Sequence, residues 1–269
     1  MRTLVHLSDL HFGRVDERLL EPLARRVHAL APDVVAVSGD LTQRARSAQF
    51  RAARRFLDTL PPPLLVVPGN HDVPLYDLFR RFFRPLAGYR RYISEELEPA
   101  FVDDEIAVLC VNTARSAVIK AGRINAAQME RVRRRFSALE RRVTRIVVTH
   151  HPFDLPATYH ARALVGRARR AMQIFAGCGT DILLAGHMHT SHAVETSARY
   201  KIGAFSALVV QAGTATSVRG RGEANSFNRL RIASGAVSIE RYAWTGTDFT
   251  IAASEAFLRS PLGWRRQEP

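Results

Sequence analysis

Short apolar runs alternate with longer amphipathic stretches over the first two thirds of the chain. Apolar runs bounded by turn residues are typical of buried strands, whereas apolar positions three or four residues apart predict helices with one buried face. The runs predict strands at Thr3–Leu7, Asp33–Val37, Leu64–Val67, Ile106–Val111, Arg145–Val148 and Ile182–Leu184. The amphipathic stretches predict helices near Asp16–Leu30, Ser47–Leu60, Pro74–Leu97, Asn125–Leu139 and Gly166–Ala176. Pro85 and Gly88 should interrupt the third of these helices.

The pattern changes after His189, where strands follow one another without a strong helix between them. These strands are predicted at Ala193–Ala198, Ala207–Gln211, Asn228–Ile232 and Val237–Trp244. Alternating β/α units followed by a mainly β end indicate an α/β protein with helices outside its sheets. We therefore expect a four-layer αββα sandwich of two mixed sheets flanked by helices. No linker or internal repeat divides the sequence, so residues 1–269 should form one domain, mainly β from about residue 193.

Polar residues follow the carboxyl ends of five predicted strands. In open α/β sheets these ends lie at the edge where ligands bind. The residues there are Asp9, His11, Asp40, Asn70, His150, His187 and His189. Each alone could cap a helix or form a turn, but together they favour a metal site. Seven carboxylate, amide and imidazole donors suit two metal ions that share a bridging carboxylate, with iron, manganese or zinc as candidates.

These blocks occur in the order Asp-x-His, Gly-Asp, Gly-Asn-His-Asp, His and Gly-His-x-His between Asp9 and His189. This order resembles the calcineurin-like metallophosphoesterase superfamily, and the short spacings are similar to those of the bacterial class III cyclic-nucleotide phosphodiesterase group. The resemblance implies a first metal ion bound by Asp9, His11 and His189. It implies a second metal ion bound by Asn70, His150 and His187. It also implies that Asp40 bridges the two ions.

The resemblance further implies the catalytic roles. A metal-activated hydroxide would attack phosphorus in line, His71 would protonate or stabilise the leaving oxygen, and Asp72 would orient or polarise His71. The motif requires one ligand where the chain has two adjacent histidines. We choose His150 because it directly follows a strand, whereas His151 precedes Pro152 in a loop and could face substrate or be structural.

Two segments outside the motifs could contact substrate. In the Gly-, Ser- and Asn-rich loop after Gly213, Arg219 or Arg221 could bind a phosphate oxygen, and Asn225 or Asn228 a ribose or base. Alternatively, this loop is a structural crossover with backbone-capping asparagines. The basic stretch 159–170 could likewise cover a substrate or form a solvated helix. We expect the histidines His6, His28, His160 and His192 to be structural. His192 is close to the metal motif, so lining of the pocket is an alternative for it.

The charge balance widens the range of substrates to consider. The chain has a net charge of +14, and its 39 basic residues include only two lysines. Such a charge attracts anionic substrates or nucleic acid, but we favour the simpler interpretation that the arginines lie on solvated helical faces. The sequence shows no signal peptide, no apolar window long enough to span a membrane, and two cysteines in or beside apolar runs, so we predict a cytoplasmic protein.

The leading functional hypothesis is hydrolysis of a small anionic phosphodiester, with 3′,5′-cyclic nucleotides as the first candidates. A nuclease is one alternative, favoured by the charge and disfavoured because no evident nucleic-acid domain follows Pro152. A nucleotide-sugar or lipid-precursor pyrophosphatase could use the same metal centre. A non-catalytic binding module is a further class, although no expected ligand is missing. The strands after Ala193 offer an edge for a homodimer, and the oligomeric state stays open.

Overall fold

The computed structural model describes residues 1–156, 159–196, 199–200, 202–203, 205–219, 222–260 and 263–267. Its strands are β1 (Arg2–Leu7), β2 (Val34–Ser38), β3 (Leu64–Val67), β4 (Ala100–Val102), β5 (Ile106–Cys110), β6 (Thr144–Val148), β7 (Ile182–Ala185), β8 (His192–Glu195), β9 (Leu208–Gln211), β10 (Ser226–Ala233), β11 (Ala236–Trp244), β12 (Phe249–Ser260) and β13 (Gly263–Arg266). Its α-helices are α1 (Leu20–Ala29), α2 (Ser47–Leu57), α3 (Leu78–Phe83), α4 (Ala87–Tyr92), α5 (Ala126–Ser137) and α6 (Ala168–Gly177). Within these ranges, every helix is too short or too polar to cross a lipid bilayer.

The first sheet has seven strands in the order β13-β12-β11-β10-β1-β2-β3. Strands β1, β2 and β3 are parallel, with Leu4 opposite Val34 and Val35 opposite Leu64. Strand β10 joins β1 antiparallel, and β10 to β13 continue as an antiparallel meander. The sheet is therefore mixed, and the turns that follow its three parallel strands meet at one edge.

The second sheet has six strands in the order β4-β5-β6-β7-β9-β8. Its four central strands β5, β6, β7 and β9 are parallel, whereas β4 and β8 run antiparallel at the two edges. Parallel strands need crossover connections, which α5 and α6 provide between β5 and β7. The turns after β6 and β7 consequently also share one edge.

Three hydrophobic layers hold the sheets and helices together. Leu4 of β1 and Ile146 of β6 belong to the layer between the sheets. Val5 points to the opposite face of β1, where it joins Phe50 of α2 in the outer layer of the first sheet. Phe175 of α6 belongs to the corresponding layer outside the second sheet. Full burial of one such side chain stabilises the fold by roughly 1.5–3 kcal/mol. The expected four-layer sandwich of two mixed sheets is confirmed.

The structure confirms part of the predicted element pattern and differs from it elsewhere. The stretch Pro74–Leu97 contains two short helices, α3 and α4, and the predicted break at Pro85 is confirmed, because proline cannot donate a helical hydrogen bond. The predicted break at Gly88 is wrong. Gly88 lies inside α4, where a Cβ would stand 2.6 Å from the Phe50 ring, so it allows α4 to approach α2. Strands β4, β12 and β13 were not predicted, and residues 197–198 of the predicted strand Ala193–Ala198 lie outside the described residues.

Candidate metal centre

The turns after β1, β2 and β7 bring the polar residues to one place by bending sharply. Their backbone is left-handed, with φ of 54° at Asp9, 51° at His11, 51° at Asp40, 75° at His187 and 59° at His189. For residues other than glycine this conformation costs roughly 1–2 kcal/mol each. Such strain persists only where surrounding contacts enforce it, and it clusters at functional sites.

Glycine allows two of these turns to approach one another. A Cβ on Gly186 would overlap the side chain of Ser8 and stand 2.6 Å from Asp9 Oδ2. Because Gly186 has no side chain, the amide of His187 donates to that same Asp9 oxygen at 2.9 Å. Gly69 has the same role beside Asp40, where a Cβ would overlap the carboxylate. Gly186 therefore lets a turn of the second sheet meet a turn of the first, and Gly69 lets two turns of the first sheet meet.

Asp9, His11 and His189 form the first group of potential ligands, and all three are buried. His189 Nε2 lies 3.2 Å from Asp9 Oδ1 and 3.2 Å from His11 Nε2. His11 Nε2 lies 3.5 Å from the same Asp9 oxygen. The strand ends of β1 and β7 thus place one carboxylate and two imidazoles around a common point.

Asn70, His150 and His187 form the second group. His150 Nε2 lies 3.1 Å from Asn70 Oδ1 and 3.3 Å from His187 Nδ1. Asn70 follows β3 in the first sheet, whereas the two histidines follow β6 and β7 in the second sheet. This group therefore depends on the packing of one sheet against the other.

Asp40 lies between the two groups. Its Oδ2 is 3.7 Å from His11 Nε2 and 3.3 Å from His150 Nε2. Its Oδ1 accepts a hydrogen bond of 2.8 Å from the backbone amide of His71. One carboxylate oxygen thus faces a histidine of each group, which is the position that a bridging ligand requires.

The hydrogen bonds on the far side of two rings fix which nitrogen faces the centre. His150 Nδ1 lies 2.8 Å from the carbonyl of Ser38, and His189 Nδ1 lies 3.1 Å from the carbonyl of Arg219. A carbonyl only accepts, so both Nδ1 atoms carry the proton, and in the neutral rings both Nε2 atoms direct lone pairs inward. These lone pairs point at carboxylate oxygens, which also only accept. Cations satisfy such a donor set, and carbonyl-anchored histidines are common at metal sites.

The pKa shifts show the same need for positive charge. Burial acts to raise the pKa of Asp9 and Asp40, but the surrounding histidines outweigh it and hold both pKa values well below the usual range. Burial acts to lower the pKa of His150, yet the Asp40 carboxylate raises it to about 9. The buried carboxylates therefore stay ionised and draw a cation, either a proton on His150 or a metal ion, into the centre.

His71 stands beside this centre, with its ring centroid 5.0 Å from that of His11. Its Nδ1–H donates to the carbonyl of Gln43 at 2.9 Å, which leaves Nε2 to accept from Arg219 Nη1 at 3.2 Å. Burial lowers the pKa of His71, and the nearby Arg219 charge adds to that effect, although Asp40 opposes it. His71 is therefore neutral, with the lone pair of Nε2 facing the site.

The carboxylate of Asp72 does not hold the His71 ring as the family resemblance implied, since the carbonyl of Gln43 occupies that position. Asp72 is buried and accepts hydrogen bonds from the amides of Leu41, Thr42 and Gly69 and from the Thr42 hydroxyl, at 2.9–3.1 Å. These contacts join the turn after β2 to the turn after β3. Burial and the charge of Asp40 raise the pKa of Asp72 to about 6.

Of the two adjacent histidines, His150 contacts Asp40 and Asn70. The ring of His151 lies behind it, 4.7 Å from the His187 ring, and its Nδ1 is 2.8 Å from Thr113 Oγ1. His151 is fully buried, and burial holds its pKa well below the ordinary value. These contacts fit a structural role for His151 behind the His150 ring. A ring nitrogen of His151 is nevertheless close enough to those of His150 and His187 for the three histidines to form a potential metal-binding group.

The loop after Gly213 reaches the centre through Arg219, which bonds to both His71 and Gln43 Oε1. Asn225 instead donates to the carbonyls of Thr214 and Ser217, and the buried Asn228 donates to the carbonyl of Gln211. Both asparagines therefore cap backbone carbonyls, as expected if this part of the loop is a structural crossover. Arg221 lies outside the described residues.

A cavity of about 620 Å³ opens beside His187. Its lining includes Lys120, His160 and Arg162. Arg162 also lines a neighbouring cavity, together with Arg167 and Arg169. His160, which we expected to be structural, therefore lines this space. Neither Lys120 nor the Gln43 carbonyl could be predicted from the sequence, because neither belongs to a strand-end pattern of metal-binding residue types.

Comparison with known proteins agrees with this geometry. The calcineurin-like phosphoesterase family model matches residues 2–191. The glycerophosphodiester phosphodiesterase GpdQ of Enterobacter lignolyticus is 34% identical over 94 residues, which cover 31% of this chain and 33% of that protein. A cAMP/cGMP dual specificity phosphodiesterase of Mycobacterium tuberculosis is 27% identical over 218 residues, covering 70% of this chain and 62% of its own length. These matches thus span less than two thirds of either relative.

Solved structures share the fold at low sequence identity. A purple acid phosphatase from yellow lupin superposes with a TM-score of 0.68 at 13% identity, covering 94% of this chain and 53% of that one. A dimetal phosphatase from Danio rerio gives 0.65 at 11% identity, covering 93% and 98%. Together with the family match over residues 2–191, these findings show that the chain belongs to the calcineurin-like phosphoesterase family.

Proposed function

We propose that this protein hydrolyses phosphodiesters at a dinuclear metal centre. The observation that carries the proposal is the position of Asp40, whose Oδ2 faces His11 of one ligand group and His150 of the other. Asp9, His11 and His189 would hold one ion, and Asn70, His150 and His187 the other. Two metal ions bound in this way polarise a phosphoryl oxygen and supply hydroxide at neutral pH.

The chain itself would act on the substrate through His71 and Arg219. The Arg219 guanidinium, which carries a permanent charge, can turn from His71 Nε2 to donate to a phosphate oxygen. The negative charge of that phosphate then favours the protonated form of His71. Because Nδ1 stays bonded to the Gln43 carbonyl, His71 takes up a proton from solvent on Nε2, from which it delivers that proton to the leaving oxygen.

The cavity beside His187 supports a small anionic substrate. Its volume of about 620 Å³ lies within the usual range for sites that enclose a small ligand. Lys120 and Arg162 give it positive charge, which attracts an anionic substrate. Together with the long match to a cAMP/cGMP phosphodiesterase, this makes 3′,5′-cyclic nucleotides our first candidates.

A pyrophosphatase acting on a lipid precursor is the second candidate. A UDP-2,3-diacylglucosamine pyrophosphatase of Chlamydia muridarum is 33% identical over 76 residues, which cover 27% of this chain and 23% of that protein. The same ligands and the same His71 would serve that reaction, so the loops around the centre decide between the substrates. A nuclease is less favoured, because the cavity beside His187 is closer in size to one nucleotide than to a strand.

Hydrolysis of 3′,5′-cyclic AMP by manganese-loaded protein, run beside bis(p-nitrophenyl) phosphate and a chelated control, tests the proposal. We expect both substrates to be cleaved in a chelator-sensitive reaction. Cleavage of the artificial diester alone would contradict the cyclic-nucleotide assignment and direct the search to nucleotide-sugar, lipid or nucleic-acid diesters. Failure to cleave either would contradict phosphodiester hydrolysis itself.

A further inference from the structure

Helix α3 presents an apolar surface to solvent next to the metal centre. Tyr76, Leu78, Phe79, Phe82 and Phe83 are each 57–76% exposed. Single exposed apolar side chains are normal, but a contiguous group of large ones marks an interaction surface. Among the described residues, Phe79, Phe82 and Phe83 are the only exposed phenylalanines. Together with Ile119, which is also exposed, we call these residues the rim patch.

The apolar side chains of α3 are exposed because the helix is anchored to the rest of the protein through a polar side chain. Arg81 is buried, and its guanidinium donates to the carbonyls of Pro74 at 2.9 Å and Val118 at 3.2 Å. Asp77 accepts from the amide of Arg80 at 2.9 Å and caps the helix. An arginine is thus turned inward while the phenylalanines face outward. This is the reverse of what burial of apolar area would produce by itself.

The rim patch borders the opening of the metal centre on two sides. On one side, the Arg44 guanidinium lies over the Tyr76 ring at 5.6 Å, directly after Gln43, whose carbonyl binds His71. On the other side, Arg81 holds the loop that carries Ile119 and Lys120, and Lys120 lines the cavity beside His187. A surface that covers the rim patch therefore also faces this opening.

The charges around the rim patch indicate what covers it. Arg80 is exposed on α3, Arg84 is exposed directly after it, and Lys120 is exposed beside Ile119. The only acidic residue between His71 and Arg91 other than Asp72 is Asp77. Two copies of the chain joined through this patch by a two-fold axis would bring the same cations face to face. Aromatic side chains mixed with arginine match instead the interface of an anionic bilayer, where rings enter the headgroup region and cations meet lipid charge.

We propose that the rim patch docks this protein on anionic lipid bilayers, with the opening of the metal centre toward the headgroups. This interaction is independent of turnover, and it can therefore fail or succeed separately from the proposed hydrolysis. It also predicts that salt weakens the binding, because part of the attraction is electrostatic.

Sedimentation with vesicles of mixed phosphatidylglycerol and phosphatidylcholine tests the proposal, with pure phosphatidylcholine vesicles for comparison. We expect the wild type to bind the anionic vesicles preferentially and to release at high salt. The double variant F79S/F83S should bind at least about tenfold more weakly, because it lacks the two phenyl rings that the wild type transfers from water into the bilayer. The matched variant I251S/L258S removes exposed apolar side chains from β12 and should bind as the wild type does.

Three results would overturn the proposal. The first is wild-type protein found only in the supernatant with either vesicle, and the second is an equal loss of binding in both double variants. The third is sedimentation equilibrium that shows a wild-type dimer, converted to monomer by F79S/F83S, without any vesicle binding; this result would assign the patch to a second copy of the chain. The thermal unfolding midpoint and the turnover of bis(p-nitrophenyl) phosphate, measured for each variant without vesicles, verify that the protein is folded.

Discussion

Replacing Arg219 with alanine should weaken substrate turnover while leaving the metal ions in place. The substitution removes the guanidinium that lies 3.2 Å from His71 Nε2 and 3.3 Å from Gln43 Oε1. It keeps the backbone carbonyl at position 219, which accepts from His189 Nδ1 at 3.1 Å. We therefore expect the Arg219 side chain to act on the substrate and its main-chain carbonyl to orient His189.

The expected magnitude follows from the interaction that is lost. A hydrogen bond from a charged donor contributes about 1.5–3 kcal/mol. This corresponds to a decrease of roughly 10- to 150-fold in kcat/KM. R219K keeps the charge but not the planar pair of donors, so it should recover only part of the activity. R135A removes an exposed arginine from α5 and should leave kcat/KM unchanged.

The assay is steady-state hydrolysis of bis(p-nitrophenyl) phosphate by manganese-loaded protein, with metal content measured on the same samples. R219A with full metal content and wild-type kcat/KM would refute the assignment of Arg219 to the phosphate. R219A that lost metal ions would instead show that the side chain supports the ligands, against the separation of roles described above.

The remaining predictions concern the acid, the turn at Gly186 and the burial of His6. H71A should lower kcat on the diester without emptying the metal sites, whereas H28A on α1 should change neither; unchanged kcat in H71A would remove the proton-donor role. G186A should destabilise the protein by about 1–3 kcal/mol and reduce metal retention, because its Cβ would overlap Ser8. G177A is the control, since nothing lies within 4 Å of a Cβ at Gly177. Equal denaturation midpoints for G186A and G177A would contradict this reasoning. Burial lowers the pKa of His6 from 6.5 to about 3, so the unfolded state binds the extra proton between these values, and stability present above pH 6.5 is lost as the pH falls. At pH 5 the loss from His6 is about 2 kcal/mol, and urea unfolding of H6Q should show a correspondingly flatter decline between pH 7 and pH 5 than the wild type.

The parallel core of both sheets could be predicted from the sequence because buried strands are near-continuous apolar runs. Strand β6, for example, is buried at every position. Strand β12 lacked that signal, since most of its side chains are partly or fully exposed, and β13 is only four residues long. Strand β12 forms because β11 offers an edge for pairing, and β13 forms because β12 does; such pairing depends on tertiary structure and leaves little trace in hydropathy.

The grouping of the candidate ligands was predictable, because residues at the carboxyl ends of neighbouring parallel strands lie at one edge of a sheet. The residues around His71 were less so. A backbone carbonyl such as that of Gln43 has no residue-type signature, so the sequence suggested Asp72 for its role. The choice between Arg219 contacting the site and a purely structural loop depended on how the crossover after β9 returns to the sheet edge, which pattern alone does not determine. The single-domain organisation stays a prediction.

The metal content of the wild type and of D40A tests the central claim most directly. After equilibrium dialysis against manganese, elemental analysis should give two ions per chain for the wild type. D40A should retain at most one, because Oδ2 of Asp40 faces both ligand groups. A single ion in the wild type, or two ions retained by D40A at the same free manganese concentration, would contradict a dinuclear centre bridged by Asp40.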